Sequence, residues 1–414
     1  MTKRAVLVFR FDQKVNPSSV REMEELAAAA GYEVVGSLIQ TRPEDPKYNI
    51  GRGKLPELHE KVRNGKVDKV IFFNMLKPSQ AYNLRKELGV DVIDRYELIL
   101  EIFAKRAGSR EAKLQIELAR LKRELSFARE YINLSKRGEL HGFLGGGKYA
   151  VDAYYTYVSS RAALIEKLLE KVRTQKSARW VRRGEAGFYS VSLAGYTGAG
   201  KSTLFARLTG EDVYIDGRPF ATLSTTSRRI KVCGYPVILT DTIGFIDSLP
   251  EQLLDAFYTT LGETLFADVV VLVVDIAESL EEVKRKFNAS IEILSGLGVP
   301  LKKVVVAANK TDATSPADAE KKLSVLKASG LPVVPVSAKQ GMGLEELKGL
   351  VASKLPEKVL ETIFVKPGET KVLEEALTKC RVIEISGAHD GGVKIVIEGR
   401  ANVVERIKAR CQGS

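Results

Sequence analysis

Residues 195–202, with the sequence GYTGAGKS, constrain the fold of this chain more than any other feature. They follow the apolar run 189–194 and precede a segment of helical character. A glycine-rich loop between a strand and a helix turns its backbone N–H groups inward, and the helix dipole adds to their attraction for an anion. Lys201 is placed to reach the terminal phosphates of a nucleotide, and the Ser202 hydroxyl to ligate Mg²⁺. The predicted phosphate-binding residues are Gly195, Tyr196, Thr197, Gly198, Ala199, Gly200, Lys201, Ser202 and Thr203.

Three further motifs lie at the ends of predicted strands. The sequence DTIG at residues 241–244 offers Asp241, which can hold Mg²⁺ through water, and Gly244, whose N–H can approach the terminal phosphate. The sequence NKTD at residues 309–312 offers Asp312, a carboxylate that can accept hydrogen bonds from both N1–H and the 2-amino group of guanine. Since ligands bind at the carboxyl ends of the strands in an open α/β sheet, the set predicts a GTP site. The predicted guanine-binding residues are Asn309, Lys310 and Asp312, together with Ser337, Ala338 and Lys339, whose backbone N–H groups can meet guanine O6.

The formal net charge of +12 is concentrated in two segments of the 414-residue chain. Residues 105–137 contain ten Lys/Arg against four Glu, and residues 161–183 contain eight against two, which gives +6 for each segment and leaves the remainder neutral. A single basic module within a neutral protein indicates a polyanionic partner. Solvated helix faces are the alternative interpretation, and the concentration of the excess favours nucleic acid.

The composition argues against several other classes of protein. No apolar stretch approaches the ~20 residues that a membrane span needs. Because the first residues lead directly into a predicted strand, we expect no signal peptide. We therefore expect a cytoplasmic protein of about two to four domains. The cysteines and histidines are isolated from one another, so we expect no disulfide framework and no zinc site. These residues are Cys233, Cys380, Cys411, His59, His141 and His389.

The first part of the chain divides into two predicted regions. Residues 1–95 alternate strand and helix patterns, which predicts a small α/β domain with a mostly parallel sheet. Residues 96–183 predict a long helix that Gly108 can interrupt, a glycine-rich break at 142–147, and a second helix over about 150–179. We expect an antiparallel helical hairpin in which each apolar stripe covers the other and the Lys/Arg faces point outward. The stripes are formed by Leu114, Leu118, Leu121, Leu125, Ala128 and Ile132 on the first helix and by Tyr154, Val158, Ile165, Leu168 and Val172 on the second.

The rest of the chain predicts two more domains. Residues 184–357 contain the four nucleotide motifs and are expected to form a central P-loop GTPase domain. Residues 358–414 follow the pattern strand–helix–strand–strand–helix, with a hairpin turn at 390–392, and predict a small C-terminal α+β domain. The overall fold class is therefore multidomain α/β. In the first domain, residues 51–54 (GRGK) place two glycines and two cations before a helix, which suits either a bound phosphate or a simple turn.

These segments together resemble the HflX family, ribosome-associated GTPases of the translation-factor class. The family commonly has Asn where this chain has Gly198, and its hairpin loop often has a longer Gly/Arg/Pro-rich pattern than the GGGKY of residues 145–149. The residues that carry the resemblance are DRYELILEIF at 94–103, SREAKLQIELA at 109–119, GRGK at 51–54, FATL at 220–223 with Arg228 and Arg229, and DTIGFI at 241–246.

The resemblance implies a GTP-driven molecular switch that binds the large ribosomal subunit and acts in splitting or rescuing ribosomes. The hairpin and the N-terminal domain would then grip ribosomal RNA, mostly through phosphates. GTP and Mg²⁺ would order the segment around Thr222, the residue expected to meet Mg²⁺ and the γ-phosphate, with Thr225 and Thr226 as nearby alternatives. The predicted catalytic residues are Lys201, Thr222 and Gly244, and the predicted Mg²⁺ ligands are Ser202, Thr222 and Asp241.

Phe245 follows Gly244 at the position where many switch GTPases have a Gln that orients the attacking water. A phenyl ring offers water neither a donor nor an acceptor, so we expect slow intrinsic hydrolysis that rises when a partner completes the site. The same residue supports an alternative function, a scaffold that binds GTP with little turnover and holds protein partners.

Overall fold

The computed structural model describes residues 2–15, 17–136, 147–210, 226–242, 244–245, 266–387 and 391–412. The chain forms two compact units, the first built mainly from residues 1–170 and the second mainly from residues 171–414. Within the described ranges, no helix is both long enough and apolar enough to cross a membrane.

The N-terminal unit begins with a parallel sheet whose strand order is β2-β1-β3-β4. Val6, Val8 and Phe72 lie on one face of this sheet and pack against two of the helices, α2 and α3. Burial on both faces explains why the β1 sequence is a continuous apolar run rather than an alternating one. The elements are β1 (Lys3–Phe11), α1 (Pro17–Ala29), β2 (Tyr32–Thr41), α2 (Leu55–Gly65), β3 (Lys69–Phe72), α3 (Pro78–Leu88), β4 (Asp91–Asp94) and α4 (Arg95–Arg106).

Two long helices follow, α5 (Arg110–Lys136) and α6 (Gly147–Glu185), after the interruption predicted near Gly108. Glu124 accepts a hydrogen bond from Tyr154 while Glu117 pairs with Arg161, so the two helices run antiparallel as predicted. The predicted stripe on the second helix is partly wrong, because the Tyr154 ring is 45% exposed and its hydroxyl reaches Glu124 across the surface. The buried seam of α6 is formed by Val158, Ala162, Ile165 and Leu169, which pack on Leu118 and Leu121.

A second correction concerns the cations of α5, which were all predicted to point outward. Arg123 lies inside the unit: its side chain is 10% exposed, and its guanidinium donates to both carboxylate oxygens of Asp94, one at 2.8 Å. The guanidinium also lies 4.9 Å from the ring centre of Tyr96. Earlier residues on the same helix face are buried as well, with Gln115 and Ala119 inaccessible to solvent. Helix α5 therefore has two buried faces rather than the single stripe of the prediction.

The second unit contains the central sheet, with strand order β10-β9-β8-β5-β7-β6. The strands are parallel except for β6, an edge strand that pairs antiparallel with β7 and that the sequence analysis did not predict. The Val-rich strands β8 and β9 are almost entirely buried, which accounts for their apolar sequences. The elements are β5 (Tyr189–Ala194), α7 (Lys201–Thr209), β6 (Thr226–Val232), β7 (Tyr235–Asp241), β8 (Val269–Asp275), α8 (Leu280–Gly296), β9 (Val304–Asn309), α9 (Pro316–Lys327), β10 (Val333–Pro335) and α10 (Leu344–Lys354).

The C-terminal segment packs an antiparallel sheet of order β11-β13-β12 against two helices. Arg400 ties this segment to the central sheet, since its guanidinium pairs with Asp268 and lies 4.6 Å from the ring centre of Tyr189. Asp390 of the predicted hairpin turn lies outside the described residues. The elements follow the predicted order: β11 (Lys358–Val365), α11 (Thr370–Lys379), β12 (Arg381–Gly387), β13 (Val393–Arg400) and α12 (Ala401–Gln412). The predicted multidomain α/β fold class is confirmed.

Candidate functional site

The phosphate loop connects β5 to α7, as the sequence predicts. Gly200 adopts a φ of +94°, a conformation that L side chains rarely adopt. A Cβ atom there would also lie 2.3 Å from Nδ2 of Asn309, so both the backbone and the available space require glycine. Helix α7 begins at the next residue, and the N–H groups of its first turn therefore adjoin the loop, where an anion is favoured.

Lys201 is buried at the start of α7, and its ammonium group is held by the loop itself. Nζ donates to the carbonyl oxygens of Gly195 and Tyr196, each at 2.9 Å. Burial lowers the pKa of Lys201 to about 8, and the nearby Asp241 carboxylate opposes this effect. A phosphate group would favour the charged form in the same way as Asp241. The loop thus positions a cation whose electrostatic environment an anionic ligand would improve.

Ser202 and Asp241 bring two hard oxygen ligands together. Asp241 ends β7 and lies opposite Leu193 of β5, while Ser202 lies in the first turn of α7. The Ser202 hydroxyl donates to Oδ2 of Asp241 at 2.7 Å. A hydroxyl and a carboxylate beside a phosphate site form the ligand set that Mg²⁺ prefers. These residues therefore fit the predicted metal.

Gly244 and Phe245 lie directly on the phosphate loop. A Cβ atom on Gly244 would approach Cγ2 of Thr197 to 2.7 Å and Nζ of Lys201 to 2.9 Å, so only glycine fits. The Phe245 N–H donates to the Gly195 carbonyl at 2.9 Å, and its carbonyl accepts from the Thr197 N–H at 2.8 Å. The Phe245 ring is buried and meets the Tyr196 ring edge-on, with the centres 6.4 Å apart. This segment is thus bonded to the loop through its backbone, and its side chain is turned into the protein.

Asn309 joins the guanine motif to the phosphate loop. Its Nδ2 donates to the Ala199 carbonyl at 2.8 Å, and its Oδ1 accepts from the Ala338 N–H at 3.0 Å. Asp312 accepts a hydrogen bond from the Ser337 hydroxyl at 2.6 Å, which fixes the orientation of its carboxylate. Three of the predicted motifs therefore converge at the carboxyl ends of β5, β9 and β10.

The structure also shows residues of this site that the sequence analysis missed. Arg207 of α7 donates hydrogen bonds to the carbonyls of Ala338 and Lys339, at 3.2 and 2.7 Å, and so stabilises the loop of residues 337–339. Asp275 pairs with Lys310 at 2.6 Å. Asp275 carries a usable signal, because it is an acidic residue at the end of an apolar strand, whereas nothing in the sequence indicates the role of Arg207. Thr222 and Thr225 of the first predicted switch lie outside the described residues, as does Ile243. The third candidate, Thr226, begins β6 and pairs with Asp241.

Comparison with known families supports this geometry. Residues 17–104 match a family model described as "GTP-binding GTPase N-terminal", and residues 106–183 match "GTP-binding GTPase Middle Region". Residues 190–310 match "50S ribosome-binding GTPase". The boundary between the first two matches falls in the last turn of α4, just before the interruption that separates α4 from α5.

Individual relatives match nearly the whole chain. The "GTPase HflX" of Thermofilum pendens is 57% identical over 407 residues, which cover 98% of this chain and 96% of that protein. The "GTPase HflX" of Thermococcus kodakarensis is 44% identical, covering 88% of this chain and 85% of its own length. A solved structure titled "crystal structure of SsGBP and GDP complex" is 30% identical with a TM-score of 0.54, and covers 85% of this chain and 98% of its own. The chain therefore belongs to the HflX family of GTPases.

Proposed function

We propose that this protein is a Mg²⁺-dependent, GTP-hydrolysing molecular switch that works on the large ribosomal subunit in the cytoplasm, in splitting or rescuing ribosomes. One observation carries the nucleotide part of this proposal. Around a single loop the structure gathers a buried cation, two oxygen ligands and a close glycine, and Asn309 connects that loop to the guanine motif. Phosphate, metal and base therefore have adjoining subsites.

Each subsite has a defined part in the proposed reaction. Lys201 offsets the negative charge of the β- and γ-phosphates. Because Gly244 has no side chain, its backbone can lie close to the Lys201 ammonium, and its N–H is available to the γ-phosphate. Ser202 and Asp241 would hold Mg²⁺, which neutralises charge that develops on the phosphate oxygens. Thr222 is proposed to join this shell from the first switch. Asp312 selects guanine, while the Ala338 N–H exchanges its bond to Asn309 for one to guanine O6.

The backbone bonds between Phe245 and the phosphate loop are the proposed two-state element. A γ-phosphate in the loop competes for the Thr197 N–H, which here donates to the Phe245 carbonyl. The position of residues 244–245 would therefore depend on the nucleotide. Because the Phe245 ring is buried against Tyr196, it cannot orient water, and the complete catalytic site requires a partner.

The proposed ribosomal partner rests on the "50S ribosome-binding GTPase" match and on the basic helices. Arg120 and Arg129 are exposed on α5, and Arg129 donates a hydrogen bond to the Tyr155 hydroxyl. Such cations suit phosphate contacts to ribosomal RNA. Arg123 is excluded from this surface by its buried pairing with Asp94.

A sedimentation experiment with large ribosomal subunits tests the proposal. The protein should pellet with the subunits in a non-hydrolysable GTP analogue more than in GDP, and the subunits should accelerate its slow GTP turnover. Arg120→Glu/Arg129→Glu should weaken pelleting without changing GTP affinity, whereas Lys321→Glu/Lys327→Glu, an equal charge change on exposed positions of α9, should not. Equal pelleting with GDP and with the GTP analogue, together with no acceleration of GTP turnover by the subunits, would support the GTP-loaded scaffold instead.

A further inference from the structure

We propose that a groove on the second unit binds a single-stranded segment of ribosomal RNA through arginine side chains. The groove, which we call the arginine groove, lies between the last turn of α6 and the edge strand β6, opens widely to solvent and has a volume of about 380 Å³. A cavity of this volume is in the range that accepts a small organic ligand such as a nucleotide. It is lined by Arg182, Arg183, Ala186, Phe188, Ser227, Arg228, Arg229 and Ile238.

The charge of the arginine groove indicates the class of its ligand. Four of its lining residues are arginines and none is acidic. Arg182, Arg183 and Arg229 form no ion pair with any residue in the described part of the chain. Like charges gathered in one cavity repel one another, and a polyanion removes that repulsion.

A purely structural role explains only half of this cluster. Arg182 and Arg183 lie in the last turn of α6, where cations interact favourably with the helix dipole. Arg228 and Arg229 belong to a strand, where no such dipole acts. Both are exposed on β6 and line the same cavity as the helical pair. Side chains alternate along a strand, so Arg229 shares its face with Ser227 of the groove. Convergence from two elements favours a common anionic ligand.

An aromatic platform within the groove favours RNA over an acidic protein. The Arg229 guanidinium lies 4.8 Å from the ring centre of Phe188. Aromatic rings and guanidinium planes are the surfaces on which unpaired bases stack, and a base must be unpaired to enter a cavity. We therefore place phosphates at Arg182, Arg183 and Arg229 and one base at Phe188.

The arginine groove adjoins the strands that carry the nucleotide site. Thr226 pairs with Asp241 in the β6–β7 register, and Ser227 of the groove pairs with Thr240. The hydroxyls of Ser227 and Thr240 lie 3.0 Å apart. The groove thus lies one register position from a proposed Mg²⁺ ligand. The identity of the RNA, although not the chemistry of the groove, rests on the proposed ribosomal function.

Fluorescence anisotropy of the full-length protein with a labelled single-stranded oligoribonucleotide tests the proposal. The groove variant Arg182→Ala/Arg183→Ala/Arg229→Ala is compared with Lys302→Ala/Lys321→Ala/Lys327→Ala, which removes the same charge from exposed positions elsewhere in this unit. Counterion release predicts about five-fold weaker binding per lost contact near 0.1 M salt, hence roughly 100-fold for three, and a slope of log affinity against log salt that is shallower by about 2. The control should bind like the wild type.

The result is read alongside GTP binding, which reports that each variant is folded. Equal RNA affinity of the groove variant and the control would overturn the proposal, as would displacement of the RNA by polyglutamate at equal charge concentration, which would indicate an acidic protein ligand. The single change Arg229→Glu, at an exposed position, provides the same test if the triple variant fails to fold. If the wild type binds the oligonucleotide through the groove but never pellets with ribosomes, the proposed function fails and the groove stands. If it pellets and the groove variant still binds RNA normally, only the groove fails.

Discussion

The parallel strands of the N-terminal and central sheets place polar side chains at their carboxyl ends, and the two sheets use these side chains differently. In the central sheet, Asp241 and Asn309 end their strands beside the phosphate loop and bond to residues of that loop or of its helix. In the N-terminal sheet, Asp94 ends β4 and accepts hydrogen bonds from the Leu76 and Glu97 N–H groups and from Arg123. Four accepted bonds fill the capacity of a carboxylate, so Asp94 has none left for a ligand.

The loop after the first strand of each sheet explains the difference. Strand β5 leads into GYTGAGK, whose backbone can turn its N–H groups toward an anion, whereas β1 leads into DQKV, which has no glycine. Arg10, at the end of β1, turns instead to Asp12 and to the Arg42 carbonyl. The carboxyl edge of a parallel sheet therefore indicates where a site can form, and the connecting loop decides whether it does.

The largest effect that this comparison predicts is on stability. Arg123→Ala should lower the free energy of unfolding by about 3–5 kcal/mol, because it leaves the fully buried Asp94 carboxylate without its charge partner. Arg120→Ala, at an exposed position three residues away, should change it by less than about 0.5 kcal/mol. Urea unfolding of the two variants measures the difference. Near-equal midpoints would show that the pairing does not stabilise the unit.

Removal of the buried cation in the central sheet should act on the ligand rather than on the fold. Lys201→Met should weaken GTP binding by about 3 kcal/mol, roughly 100-fold, because it deletes charge-assisted bonds to the phosphates. The fold should survive, since methionine fills the same space and burial already disfavours the ammonium, as its lowered pKa shows. Nucleotide titration beside a melting curve separates the two effects. A nucleotide-free protein that no longer folds would make Lys201 a structural residue.

The base specificity should depend on one carboxylate. Asp312→Asn should lower GTP affinity by about 2 kcal/mol and raise the affinity for xanthine nucleotides, because an amide exchanges one acceptor for a donor. Ser337→Ala, which removes the 2.6 Å bond to Asp312, serves as the matched control. It should weaken GTP binding less and leave xanthine nucleotides excluded. Competition binding between guanine and xanthine nucleotides measures the preference of each variant. An unchanged preference for guanine in Asp312→Asn would show that Asp312 does not recognise the base.

Sequence patterns predicted the elements of the central sheet well, because the signals there are local. Strand β5 has the predicted bounds, because the apolar run marks the strand and the glycine directly after it marks the end. The edge strand β6 was missed for the complementary reason. Its sequence TSRRIKV is mostly polar, and an exposed edge strand does not require the apolar run that marks a buried one.

The errors in the hairpin come from partners that are distant in sequence. The local sequence does not distinguish Arg123 from the other cations of this basic helix. Nothing near it in the chain identifies Asp94, 29 residues earlier, as its partner. Helical spacing predicts Tyr154 in the seam, whereas the small Ala162, which does fill the seam, is not among the predicted residues. Periodicity locates a helix face, but it does not show which neighbour covers that face.

The smallest predicted effect concerns a second ion pair between a basic side chain and an aspartate, in a more exposed environment than that of Arg123 and Asp94. Lys310 and Asp275 lie 2.6 Å apart at the edge of the central sheet, with side chains 37% and 13% exposed. Exposed pairs contribute only about 0–1 kcal/mol, since water competes for both charges and salt screens them. Lys310→Met keeps the aliphatic stem and should therefore lower the free energy of unfolding by less than about 1 kcal/mol, an effect that shrinks further in high salt. A double-mutant cycle with Asp275→Asn isolates the pairing energy. A coupling energy as large as that expected for Arg123 and Asp94 would show that burial does not explain the difference between the two ion pairs.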